Sequence, residues 1–167
     1  MTTRRPRPPA EPASENAARA IALRLLTVRA RGSADLSRTL ERRGFEKTAA
    51  EAAVARLVRE GWLDDLAAAR SLVRARGARY GRARIAQELS ALGFSKETAA
   101  QALSGSNDAE ETALAKALKA AWKKSAGLPP LVRRRRVRAS LVRRGFAAAA
   151  ISAMMKGSHE EEDLELG

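Results

Sequence analysis

Apolar residues recur along this chain at helical spacing, and three times they do so in the same phrase. An apolar residue is followed by Leu four positions on, and after four more by Gly and Phe. The copies are Leu36, Leu40, Gly44-Phe45; Ile85, Leu89, Gly93-Phe94; and Val137, Leu141, Gly145-Phe146. Positions i and i+4 share one face of a helix. The Gly falls where that helix would end, at a place that favours φ > 0, and the Phe beyond it can fold back onto the last turn. From Gly44 to Gly93 is 49 residues and from Gly93 to Gly145 is 52. A period of about 50 residues marks tandem supersecondary units.

The remaining apolar positions fill out each unit. Ile21, Leu25 and Val28 predict a first helix over about 16–30, stopped by Gly32. Ser33 is placed to cap the next helix, which runs to Arg43. After the first Gly-Phe turn, Ala50, Val54, Leu57 and Val58 predict a buried face on a helix over about 46–60, closed by Gly61. Asp64 and Asp65 then sit where carboxylates cap free N–H groups and suit the helix dipole, which outweighs an acid/base role for the pair. The helix they open, over about 65–78, buries Leu66, Ala69, Leu72 and Val73. Gly81 starts the second hairpin, which ends in a helix over about 95–103. Residues 104–108 form a linker, and Asn107 with Glu110 has the spacing of a capping box. Leu114, Leu118 and Trp122 mark the next helix; Gly127, Pro129 and Pro130 break it, and either proline suits the first position of its successor. There Val132, Val137 and Leu141 are expected to face inward. A last helix spans about 147–155.

The expected fold is therefore all-α: three tandem three-helix repeats forming an elongated, curved helical array. The units are residues 16–62, 63–106 and 107–157, between a Pro/Arg-rich, disordered stretch at 1–15 and an acidic tail at 158–167. Composition agrees, since Ala supplies much of the 45% hydrophobic content and favours helices with thin cores.

Charge adds a partner. The net charge is +13, and residues 107–157 hold 12 basic and 3 acidic groups, net +9. Such a surface fits an anionic partner, nucleic acid first. The candidates are Arg70, Arg74, Arg76, Arg79, Arg82 and Arg84 in the second unit. In the third they are Lys123, Lys124, Arg133, Arg134, Arg135, Arg136, Arg138, Arg143 and Arg144. Four consecutive arginines cannot face one way at 3.6 residues per turn, so they spread charge over the outer faces.

Chemistry is not expected. There is no Cys, no phosphate-binding Gly-rich loop, and the single His159 lies in the acidic tail beside Glu160-Glu161-Glu162. No catalytic residue, metal site or cofactor is assigned. No apolar run approaches a membrane span, and the N-terminus lacks the apolar region of a secretory signal. Beyond the three Phe, only Trp62, Tyr80 and Trp122 remain, a poor supply for stacking single-stranded bases. A helix-turn-helix reading of duplex DNA stays open, although Arg56 and Arg59 are the only arginines on the first post-turn helix and the second has none.

Gly61-Trp62-Leu63-Asp64-Asp65 with Ala69, then Gly81, Arg84-Ile85, Glu88-Leu89 and Gly93-Phe94, resembles the RecX family of recombinase regulators. Ala68 stands where that family commonly has an aromatic, Arg82 where it has Pro, and Leu92 where it has a basic residue. The resemblance extends over about residues 17–156. It implies a cytoplasmic, monomeric, non-enzymatic regulator of DNA recombination and repair. Such a protein would bind the RecA–DNA filament and inhibit its strand exchange, ATPase and coprotease activities, with direct DNA contact left open. The rival expectation is an autonomous helical protein acting through duplex DNA alone.

Overall fold

The computed structural model describes residues 9–164. Among these the backbone forms nine α-helices: α1 (Glu15–Val28), α2 (Ser33–Arg42), α3 (Lys47–Arg59), α4 (Asp65–Gly77), α5 (Arg82–Ala91), α6 (Lys96–Leu103), α7 (Asn107–Lys124), α8 (Pro130–Arg143) and α9 (Ala148–Leu164). The all-helical repeat architecture is the one the Gly-Phe phrase implies.

That phrase folds the same way each time. Gly44, Gly93 and Gly145 have φ of 98°, 81° and 85°. Each closes a Schellman ending: the Phe N–H donates to the carbonyl of Leu40, Leu89 or Leu141 at 3.1–3.3 Å, and the Gly N–H to Glu41, Ser90 or Val142 at 2.8–3.0 Å. Phe45, Phe94 and Phe146 are buried against the turn they follow.

Helix starts have several origins. Ser14 Oγ accepts from Ala17 N–H at 3.2 Å, Asp64 Oδ1 from Ala67 at 2.9 Å and Ser95 Oγ from Thr98 at 3.0 Å. Pro130 takes the first position of α8, where its missing N–H costs nothing. Glu46 N–H, ahead of α3, instead donates to Pro12 O at 2.9 Å. The end of the proline-rich stretch expected to be disordered is thus tied down: Pro12 caps α3, and α1 begins at Glu15. Residues 1–8 of that stretch lie outside the described residues, as do 165–167 of the acidic tail. The backbone of α9 continues to Leu164, nine residues past the sequence expectation of Met155.

The chain groups into two compact units. One holds residues 9–71 with Leu89–Ala102; the other holds Leu72–Glu88 with residues 103–164. In the first, Ala18, Ala22, Leu25, Leu36, Leu40, Phe45, Val54, Leu57 and Leu63 form the core. In the second, Leu114, Leu118, Val137, Leu141, Phe146, Ile151 and Met155 do so.

Two inward assignments, Val58 and Val132, are corrected, and Val28 lies exposed at the end of its helical spacing. Val28 is 80% exposed because α1 ends at it; Val58 is 50% exposed because it neighbours Leu57, about 100° round the helix. Val132 is 50% exposed because it lies five residues before Val137, out of register. Position 133, one turn before Val137, takes the inner place.

Candidate functional site

The repeats are joined by a recurring contact, and it sets where the cations stand. Gly32, before α2, donates its N–H to Leu92 O at 2.8 Å; Gly81, before α5, donates to Arg144 O at 2.9 Å. In both cases the start of one hairpin lies on the Gly-Phe turn of the next. A Cβ on Gly32 would overlap the Gly93 carbonyl, and one on Gly81 the Gly145 carbonyl. The turn glycines are equally tight, since a Cβ on Gly93 would strike Asp35 and one on Gly145 would strike Arg84.

A carboxylate completes each joint. Ser33 N–H donates to both oxygens of Asp65 at 3.1 Å, and Arg82 N–H to Glu110 Oε1 at 2.9 Å. Arg82 Nη1 also donates to Asn107 Oδ1. Three sequence assignments change here. Ser33 is the first residue of α2 rather than its cap, and Asp65 closes α2 across the joint while Asp64 alone caps α4. Asn107 and Glu110 make no capping box; both turn to Arg82. An Arg in place of the Pro common in the resembled family supplies the N–H that Glu110 binds.

Under the first joint Asp35, 8% exposed, is met by Arg31 at 2.6 Å, with Arg29 and Arg42 at 3.8 Å. Sequence reasoning missed this cluster. The i,i+4 spacing of Arg31 and Asp35 was its only local signal, and burial comes from the Gly93 turn laid over it.

The predicted cations divide into three groups. Some hold structure: Arg76 donates to Glu88 at 2.9 and 3.1 Å, and Arg82 serves the second joint. Arg133 is half-buried, with its guanidinium 4.6 Å from the Trp122 ring centre and Nη2 donating to Trp122 O at 3.2 Å. It leaves the exposed Arg block to which the sequence assigned it. Others stand exposed: Arg70, Arg74, Arg79, Lys123, Lys124, Arg136 and Arg143. The second joint brings Arg84 to the C-terminal end of α8, beside half-buried Arg144, across about sixty residues of sequence.

The third group forms a site. Arg134, Arg135 and Arg138 line a groove of about 560 Å³ between α8 and α9, with Lys156 on the α9 side. Leu131, Ala139, Val142 and Met155 supply apolar walls. Among residues 9–156 no carboxylate lies within ion-pair distance of these four cations. Lys156, Leu131 and Val142 were absent from the sequence prediction, because α9 had no assigned face and an 84% exposed Leu131 breaks the rule that leucine points inward.

The arrangement defines a class: a tandem three-helix repeat protein with an arginine-rich face. Comparison with known proteins gives the family. The model of the first three-helix domain of RecX matches residues 18–57, and that of the second matches 64–103. The regulatory protein RecX of Thermobifida fusca is 36% identical over 152 residues, covering 89% of this chain and 82% of its own. That of Xanthomonas axonopodis pv. citri is 37% identical over 141 residues, covering 84% and 86%. The chain belongs to the RecX family, and its role is regulatory. Two solved structures share the fold. RecX from Lactobacillus salivarius has a TM-score of 0.75 at 17% identity over 86% of this chain and 95% of that one. A second regulatory protein RecX has 0.69 at 20% identity over 85% and 73%. No helix among the described residues is long and apolar enough to cross a membrane.

Proposed function

We propose that this chain is a cytoplasmic regulator of recombinational DNA repair that binds the RecA–DNA filament and restrains it without catalysing a reaction of its own. Strand exchange, the filament's ATPase and its coprotease activity would all fall. The observation that carries this reading is the set of exposed arginines on α8 of the third repeat, residues 107–157. Arg134, Arg135 and Arg138 meet no carboxylate among residues 9–156, which supports a reading in which their charge meets an anionic assembly. Repeats at 16–62 and 63–106 would extend the contact, gaining avidity from several weak attachments. The protein would act as a monomer, because a net charge of +13 opposes self-association. Arg56 is engaged by Glu60 at 2.8 Å and Asn16 at 3.1 Å, which disfavours α3 as an independent reader of duplex DNA.

The test is ATP hydrolysis and strand exchange by the cognate recombinase with and without the full chain, alongside binding to bare and recombinase-coated DNA. Inhibition and a preference for coated DNA are expected. Reversing Arg134, Arg135 and Arg138 to Glu removes three exposed ion-pair partners of about 0.5 kcal/mol each, so half-inhibition should need about tenfold more protein. Equal binding to bare and coated DNA, with no inhibition, would mean a protein acting through duplex DNA alone.

A further inference from the structure

The α8–α9 groove has a property that a surface for nucleic acid does not need. Leu131 is 84% exposed and Val142 48%, and both stand on the same wall as Arg134, Arg135 and Arg138. Phosphates draw charge to a surface but leave such apolar groups wet. An apolar strip edged by cations is removed from water only by a partner with apolar groups of its own. Three of the four cations are Arg, whose planar fork takes a carboxylate through two parallel hydrogen bonds. A furrow between two packed helices is also the shape into which a third helix fits.

We propose that this groove docks an acidic, amphipathic helix of a protein partner. Apolar side chains one turn apart on that helix seat against Leu131 and Val142. Asp or Glu residues flanking them pair with Arg134, Arg135, Arg138 and Lys156. This rests on the reading that the α8 arginines meet a macromolecular partner, and it assigns the contact to protein rather than DNA. A second copy of this chain does not fit, because two such grooves carry the same sign of charge.

The probe is a fluorescent 20-residue peptide with Leu at i, i+4 and i+7 flanked by Glu. The controls are a scrambled peptide whose leucines share no face and a 20-nucleotide oligodeoxythymidine. Binding to the full chain is followed by anisotropy at 150 mM salt. The patterned peptide is expected to bind at least tenfold more tightly than the scrambled one. Leu131→Asn with Val142→Asn, both at exposed positions, should weaken the peptide at least fivefold and leave the oligonucleotide unchanged. Arg135→Glu with Arg138→Glu should weaken the peptide at least tenfold. Equal binding of the two peptides, or an apolar double variant that weakens only the oligonucleotide, overturns the proposal. So does a tenfold gain in peptide affinity on changing Glu160, Glu161 and Glu162 to Gln in the full chain, because the chain's own acidic end would then be the occupant. Recombinase ATPase, measured on the same proteins, separates this from the regulatory reading. Inhibition without peptide preference sinks only the groove, whereas a parent chain that never inhibits sinks the reading itself.

Discussion

Glycine serves two different needs here, and substitution separates them. Gly61 has φ 75° with nothing within 4 Å of the place a Cβ would occupy, so Gly61→Ala meets only left-handed strain, about 1–2 kcal/mol. Gly93 has φ 81° and also lies on Asp35, so Gly93→Ala should cost clearly more. Gly32 has φ −77°, which any residue adopts, so a penalty for Gly32→Ala comes only from overlap with the Gly93 carbonyl. Denaturant unfolding of the three variants should rank Gly61→Ala as mildest; a neutral Gly32→Ala would refute the close approach. The turn glycines were legible because the demand on them is local, set by a helix that must end. Gly32 read only as a helix stop and Gly81 only as the start of a hairpin, since the backbone pressed against them arrives from about sixty residues away. Arg133 was misassigned for a related reason: four like residues in a row hide which one points at Trp122.

At the scale of the element, helix starts are closed from elsewhere in the chain as often as locally. Asp64 is an ordinary cap, whose loss should cost about 1 kcal/mol. Asp65 holds the N–H of Ser33 on another helix, and its removal leaves that donor unpaired, about 1–3 kcal/mol. A double-mutant cycle isolates the bond. Ser33→Pro deletes the N–H at the first position of α2, which tolerates proline, and Gly32 at φ −77°, ψ 155° already has the extended form favoured before proline. Asp65→Ala should therefore destabilise the parent but cost nothing, or restore stability, in the Ser33→Pro background, where the ring Cδ takes the amide hydrogen's place against the carboxylate. Equal losses in both would assign Asp65 a purely local role. Helix existence and type were legible because 3.6-residue periodicity is a short-range signal. The partners of Asp65, Asn107 and Glu110 were not, since cap-forming residues at cap spacing look the same whether they turn inward or across a joint.

Over the whole molecule, charge sets the response to conditions. The chain carries 32 Lys and Arg against 19 Asp and Glu, so at neutral pH its cations repel one another. The ion pairs set against this are largely surface ones, worth little each. Arg19 and Arg56 grip Glu60 between α1 and α3, and those hydrogen bonds, Arg19's first, hold its carboxyl below the ordinary value of 4.5. A lowered folded-state value means this contribution is fully present above the unfolded value and is lost as pH falls through the depressed one. Acid also removes carboxylate charge everywhere, so self-repulsion grows as the clasp fails. Melting at pH 7 and pH 3, each in 20 and 200 mM NaCl, tests the balance. Salt screens the repulsion, so Tm should rise with salt at pH 7 and rise further at pH 3. Glu60→Gln should shrink the loss between the two pH values, because the neutral amide has no charge to surrender. A Tm that falls with salt at pH 7 would show that attraction between paired side chains outweighs repulsion, and that the cationic surface costs the fold nothing.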